Sequence, residues 1–125
     1  MAETLKITST APKRYNLSKS PRGVKLINTA NTWVNYTAKV VGGCNGSVFE
    51  FSVSALRSAS GVTVTVAKVG TFNSSSYGLF KDDSGVYFVC KNTSGVNDDF
   101  LINSSQPIEG PKDIDTSSMT EITSS

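Results

Sequence analysis

The chain has no histidine, and it has only two cysteines, four prolines and one tryptophan in 125 residues. Without histidine, the commonest general base and metal ligand is missing. Serine and threonine are plentiful, but no imidazole stands ready to activate one. No S-x-x-K box, P-loop or G-x-G-x-x-G run is present either. Cys44 and Cys90 lie far apart with no C-x-x-C, which argues against a metal centre. The expectation is therefore a protein that is not an enzyme, with no catalytic residues, cofactor or metal. No apolar run approaches the about 20 residues of a membrane-spanning helix. The opening Met1-Ala2-Glu3-Thr4-Leu5-Lys6 lacks the apolar core of a signal peptide, so both thiols are expected to be free. Helical periodicity is scarce too. Its one candidate, Val53 to Ser60, runs straight into Ser58, Ser60 and Gly61.

What fills the chain is small and polar: 19 Ser, 13 Thr and 9 Asn. These residues favour turns and hydrogen-bonded strand surfaces over helices. Alternation with a period of two is frequent. Leu5-Lys6-Ile7 is a short entry strand, and Gly23 to Asn28 is a second strand. In Trp33 to Val41, Val34, Tyr36, Ala38 and Val40 share a face. Ser47 to Ala55 puts Phe49, Phe51, Val53 and Ala55 together. Gly61 to Val69 sets Val62, Val64 and Val66 opposite Thr63, Thr65 and Ala67. Tyr77 to Lys81 and Val86 to Lys91 flank Asp82-Asp83-Ser84-Gly85, read as a hairpin turn with glycine in the left-handed position. Asp99 to Asn103 closes the series.

About eight strands with polar turns predict an all-β fold: a single antiparallel sandwich of jelly-roll type. The expected core is Leu26, Val34, Tyr36, Val40, Phe49, Phe51, Val53, Val62, Val64, Val66, Leu79, Val86, Phe88, Cys90 and Leu101. The chain divides into a basic arm (1–22), the sandwich (23–103) and an acidic, Ser/Thr-rich tail (104–125). Net charge is +2, yet Lys13, Arg14, Lys19 and Arg22 crowd one end while Asp113, Asp115 and Glu121 mark the other. The ends are thus expected to meet each other or a partner. The tail carries Ile108, Ile114, Met119 and Ile122 as apolar anchors and is too polar to fold alone. Both ends are expected to be partner-binding, with at least one ordered only against another chain. The near-neutral charge and the acidic tail argue against nucleic acid.

Asp83-Ser84-Gly85-Val86-Tyr87-Phe88-Val89-Cys90 is similar to the approach to the second cysteine of immunoglobulin variable domains. The tyrosine stands three residues before the cysteine instead of two, which puts the pair on opposite faces, and Trp33 precedes Cys44. That family is rejected. Asp82-Asp83 and Asp98-Asp99 are read as turn residues. Six N-x-[S/T] sequons, beginning at Asn16, Asn35, Asn45, Asn73, Asn92 and Asn103, follow from composition.

With the strands in place, the chain resembles the small all-β modules of tailed-bacteriophage virions. The resemblance rests on Trp33 to Val41, the Gly61-Val62-Thr63-Val64-Thr65-Val66 ladder and the hairpin from Gly78 to Phe88, and it covers residues 23–103. It implies a capsid-decoration, head-fibre or fibre-tip module, usually a trimer, assembled in the host cytoplasm and located in the virion. The implied partners are further copies of the chain and a capsid or other virion protein. The absence of a shaft or heptads favours decoration over a receptor-binding fibre. The alternative is a host-adhesion tip in which Trp33, Tyr77 and Tyr87 stack on a surface glycan.

Overall fold

A computed structural model describes residues 12–17, 21–29, 33–44, 47–71, 76–91 and 99–122. It is all-β. Ten strands follow in order: β1 (Lys13–Asn16), β2 (Arg22–Asn28), β3 (Asn35–Cys44), β4 (Ser47–Ser58), β5 (Gly61–Gly70), β6 (Tyr77–Asp82), β7 (Gly85–Cys90), β8 (Asp99–Ser104), β9 (Lys112–Asp113) and β10 (Thr120–Glu121). They form two five-stranded antiparallel sheets packed as a sandwich. The first sheet runs β1-β8-β3-β4-β5 and the second β10-β6-β7-β2-β9. The stretch from Val53 to Ser60 is mostly the end of the long strand β4, so the single helical candidate is extended. Leu5-Lys6-Ile7 lies outside the described residues.

β3, β4 and β5 form a meander whose register never slips from Phe49↔Gly70 to Ser58↔Gly61. Alternation then sorts the side chains. Tyr36, Ala38 and Val40, and Phe49, Phe51, Val53 and Ala55, are buried in the core, with Val64 and Val66 partly buried against it. The second sheet answers with Val24, Leu26, Ile27, Tyr77, Leu79, Val86, Phe88 and Cys90. The Cys90 side chain is sealed in this layer. Between the sheets five aromatic rings interlock. Tyr77 stacks on Phe88 at 5.5 Å and meets Phe100 edge-on at 4.8 Å, while Phe49 tilts against Phe51 at 5.1 Å.

Two expected core positions are misplaced. Leu101 is 39% exposed, while Phe100 and Ile102 are buried. The pairing Val40↔Ile102 fixes that parity. Val34 is likewise exposed, because Trp33 takes a left-handed φ of 66° and the strand begins only at Asn35. In β2 the register shifts between Lys25 and Ile27, a bulge that turns both Leu26 and Ile27 inward. The bulge also explains Gly85. Its φ is not among the positive ones, so it is not the left-handed turn residue expected. A Cβ there would collide with the Ile27 carbonyl oxygen. Glycine is needed for close approach.

Candidate interaction surface

The residues expected to bind partners are mostly turned toward their own chain. Lys13 and Arg14 lie on β1, an edge strand paired with β8, and Arg14 reaches Asp99 at 4.0 Å. Arg22 opens β2 and pairs with Asp113 of β9 at 3.9 Å. The Ile114 N–H donates to the Pro21 carbonyl at 2.9 Å beside it. Arm and tail therefore meet each other. Lys19 lies outside the described residues. Ile114 is buried with Phe80, Tyr87 and Val89, and Met119 packs against that group. Ile108 and Ile122 pack on the main core. The expectation that an end is ordered only by another chain is corrected for the described parts of both ends. Their apolar anchors find surface on this chain, and β10 is held by the Lys91–Glu121 pair at 3.0 Å.

Two of the three glycan-stacking candidates are also corrected. Tyr77 is 0% exposed, and its hydroxyl donates to the Leu17 carbonyl at 3.0 Å. Tyr87 is buried beneath the tail. Its hydroxyl sits 2.8 Å from the Ser84 hydroxyl, and the Lys25 ammonium lies 5.4 Å from its ring centre. Neither ring has a face free for a sugar. Trp33 differs, being 67% exposed, with its backbone N–H donating to the Arg57 carbonyl at 2.6 Å. Arg57 in turn donates to the Asp83 carbonyl. Arg57, near the end of β4, thereby ties the turn at Trp33 to the β6–β7 turn. A cleft of about 510 Å³ opens there, lined by Val62, Lys81, Asp82, Asp83, Ser84, Ser118 and Thr120. Asp82 already has work in the turn. Partial burial pushes its carboxyl up, but the N–H groups of Ser84 and Gly85 and the hydroxyls of Ser84 and Tyr87 outweigh this and hold it below the ordinary value of 3.8.

Among the described residues, the surface left bare is the outer face of the first sheet. Cross-strand register sorts it into rows. Thr37, Ser54 and Thr65 make one row, Asn103, Lys39, Ser52 and Ala67 a second, and Arg14, Leu101, Val41, Glu50 and Val69 a third. The first is all hydroxyls, the second mixes amide, ammonium, hydroxyl and methyl groups, and shallow grooves of about 340 and 210 Å³ run over them. The third is apolar at its centre, and Val69 is 67% exposed. Its flanking charges are modestly paired, as in Lys39–Glu50 at 3.6 Å. The sequence predicted the polar side of these strands, but not that it would be the layer no described residue packs over.

Comparison with known protein families, curated proteins and solved structures finds no match to this chain. Function must therefore be argued from the surface itself.

Proposed function

We propose that this protein is a non-enzymatic structural component of a bacteriophage virion that decorates the capsid or builds a short head appendage. The observation that carries this reading is the contrast between a second sheet covered by the tail and a first sheet whose outer face no described residue packs over, with an open edge at β5. A broad, shallow surface of mixed hydroxyl and apolar rows suits docking against another folded protein better than enclosing a substrate. The phage assignment itself rests on the textural resemblance of the strands from Trp33 to Phe88. With the described parts of the ends engaged on their own chain, the first sheet replaces the arms as the attachment surface. The test is co-sedimentation with intact particles. Wild-type protein is expected to travel with them, and Ser54→Arg together with Thr37→Arg on the outer face should abolish this while leaving the fold intact. Undiminished attachment would remove the proposal's contact surface.

A second reading, host adhesion through a glycan, is favoured by one observation. Trp33 is the most exposed aromatic ring among the described residues, and it sits in a backbone conformation rare for tryptophan. Glycan-array binding lost in Trp33→Ala would favour this reading over decoration.

A further inference from the structure

Three of the four sheet edges are blunted. β9 and β10 are two residues each. β1 is four residues, follows Pro12 and carries Lys13 and Arg14. Shortness, charge and proline are the usual means of keeping sheets from pairing edge to edge. The fourth edge, β5, is neither short nor interrupted by proline, and it carries a single charge. It is ten residues of Gly-Val-Thr-Val-Thr-Val-Ala-Lys-Val-Gly, with one charge, no proline and no bulge in its pairing with β4. About half of its backbone N–H and C=O groups face away from β4. At one end the Lys81 ammonium reaches the Val62 carbonyl at 3.5 Å, so the open run begins at Thr63.

We infer that β5 is a pairing edge for a second copy of this chain, joined antiparallel across a two-fold axis at Thr65. The inference deepens the assembly reading above by naming one partner, and it rests on that reading only in treating the protein as a building module. The strand is self-complementary about that axis. Val64 of one copy stands opposite Val66 of the other, Thr63 opposite Ala67, and Thr65 opposite itself. Lys68, the single charge, faces Val62 instead of another lysine, and its aliphatic stem covers the valine. Val64 and Val66 are packed against the core but only partly buried at the edge. The second copy's identical valines complete that layer, which an unrelated extended peptide would do less well. The result is one continuous ten-stranded sheet with its outer hydroxyl rows aligned. It makes the unit a dimer, in contrast to the trimer implied by the phage resemblance.

Sedimentation equilibrium of the full chain over a concentration series tests this. The expected species is reversible, with twice the 13.3 kDa of one chain. Thr65→Lys sets two ammonium groups face to face and is expected to weaken the dimer at least about tenfold, with circular dichroism unchanged. Ser54→Lys, on the same face but two strands from the new partner, should leave the dimer intact. Thr65→Cys should cross-link copies under mild oxidation where wild type does not. A monomer at every concentration, a trimer, or a dimer indifferent to Thr65→Lys would each overturn the inference. Particle attachment is measured separately, so its failure would count against the virion reading alone.

Discussion

Every residue of β7 is buried, and in β6 the first four are. In β5, by contrast, valines that touch the core alternate with threonines in water. The second sheet has two covered faces: one against the first sheet, and one under the tail, where Ile114 closes over Phe80, Tyr87 and Val89. Among the described residues, the first sheet has only one. The difference teaches where the chain uses its few large apolar groups. A 125-residue chain that is 38% hydrophobic has little to spare. It finishes one side with its own tail and leaves the other in hydroxyls, amides and an unguarded edge.

The largest effect should come from the aromatic layer that both sheets share. Phe88 is fully buried between Tyr77, Phe49 and Phe100. Phe88→Ala is expected to cost about 3–5 kcal/mol in urea unfolding. A cost near that of a surface change would mean the layer is loosely packed.

Next is the tail's contact with the second sheet. Ile114→Ala should cost about 2–4 kcal/mol, because it opens a hole over Tyr87 and Val89. It should also raise the binding of a dye specific for exposed apolar surface. If Ile114→Ala is silent in both measurements, the tail does not cover that face in solution and the contrast between the sheets disappears.

How much of this was legible in the sequence depends on whether a local pattern or a distant partner decided it. The face assignments of β4 and β5 could be read directly, since Phe-x-Phe-x-Val and Val-Thr-Val-Thr-Val alternate cleanly. Asp99-Phe100-Leu101-Ile102-Asn103 has three apolar residues in a row and carries no parity, so only its pairing with β3 fixed which two point inward. Tyr87 looked like an outward-facing ring, and its own strand gives no sign of a tail that arrives some thirty residues later. The charge asymmetry of the ends was readable. That it would be used within the chain, Arg22 to Asp113, was one of two outcomes the sequence left open. Trp33 was recognised as a candidate ligand-stacking ring, but not as the residue whose left-handed backbone delays the start of β3.

The turn beside Trp33 offers a finer test. The Asp82 carboxyl is held below its ordinary value in the folded protein. A depressed folded pKa adds stability above the unfolded value, and that stability is lost as pH falls from about 4 through the folded pKa. Asp82→Asn should therefore lower the melting temperature at neutral pH, and its gap from wild type should narrow on acidification below pH of about 4. A gap constant down to strongly acid pH would mean that the ionised carboxylate is not what fastens the β6–β7 turn at the rim of the cleft.

The smallest effect should be on the bare face. Ser54 is exposed at the centre of the Thr37–Ser54–Thr65 row, with valines and phenylalanines of β4 on the other side. In dilute protein Ser54→Ala should change stability by no more than about 0.5 kcal/mol, because the hydroxyl exchanges with water. The informative comparison is with Ile114→Ala. A residue of the tail that covers one sheet and a residue on the outer face of the other should differ severalfold in cost if only the first of those faces is covered. If Ser54→Ala costs as much as Ile114→Ala in urea unfolding of dilute protein, the first sheet's outer face is buried in solution as well. The covering surface would then have to come from another copy of the chain. Stability at that position would depend on protein concentration, which repeating the unfolding at two concentrations measures directly.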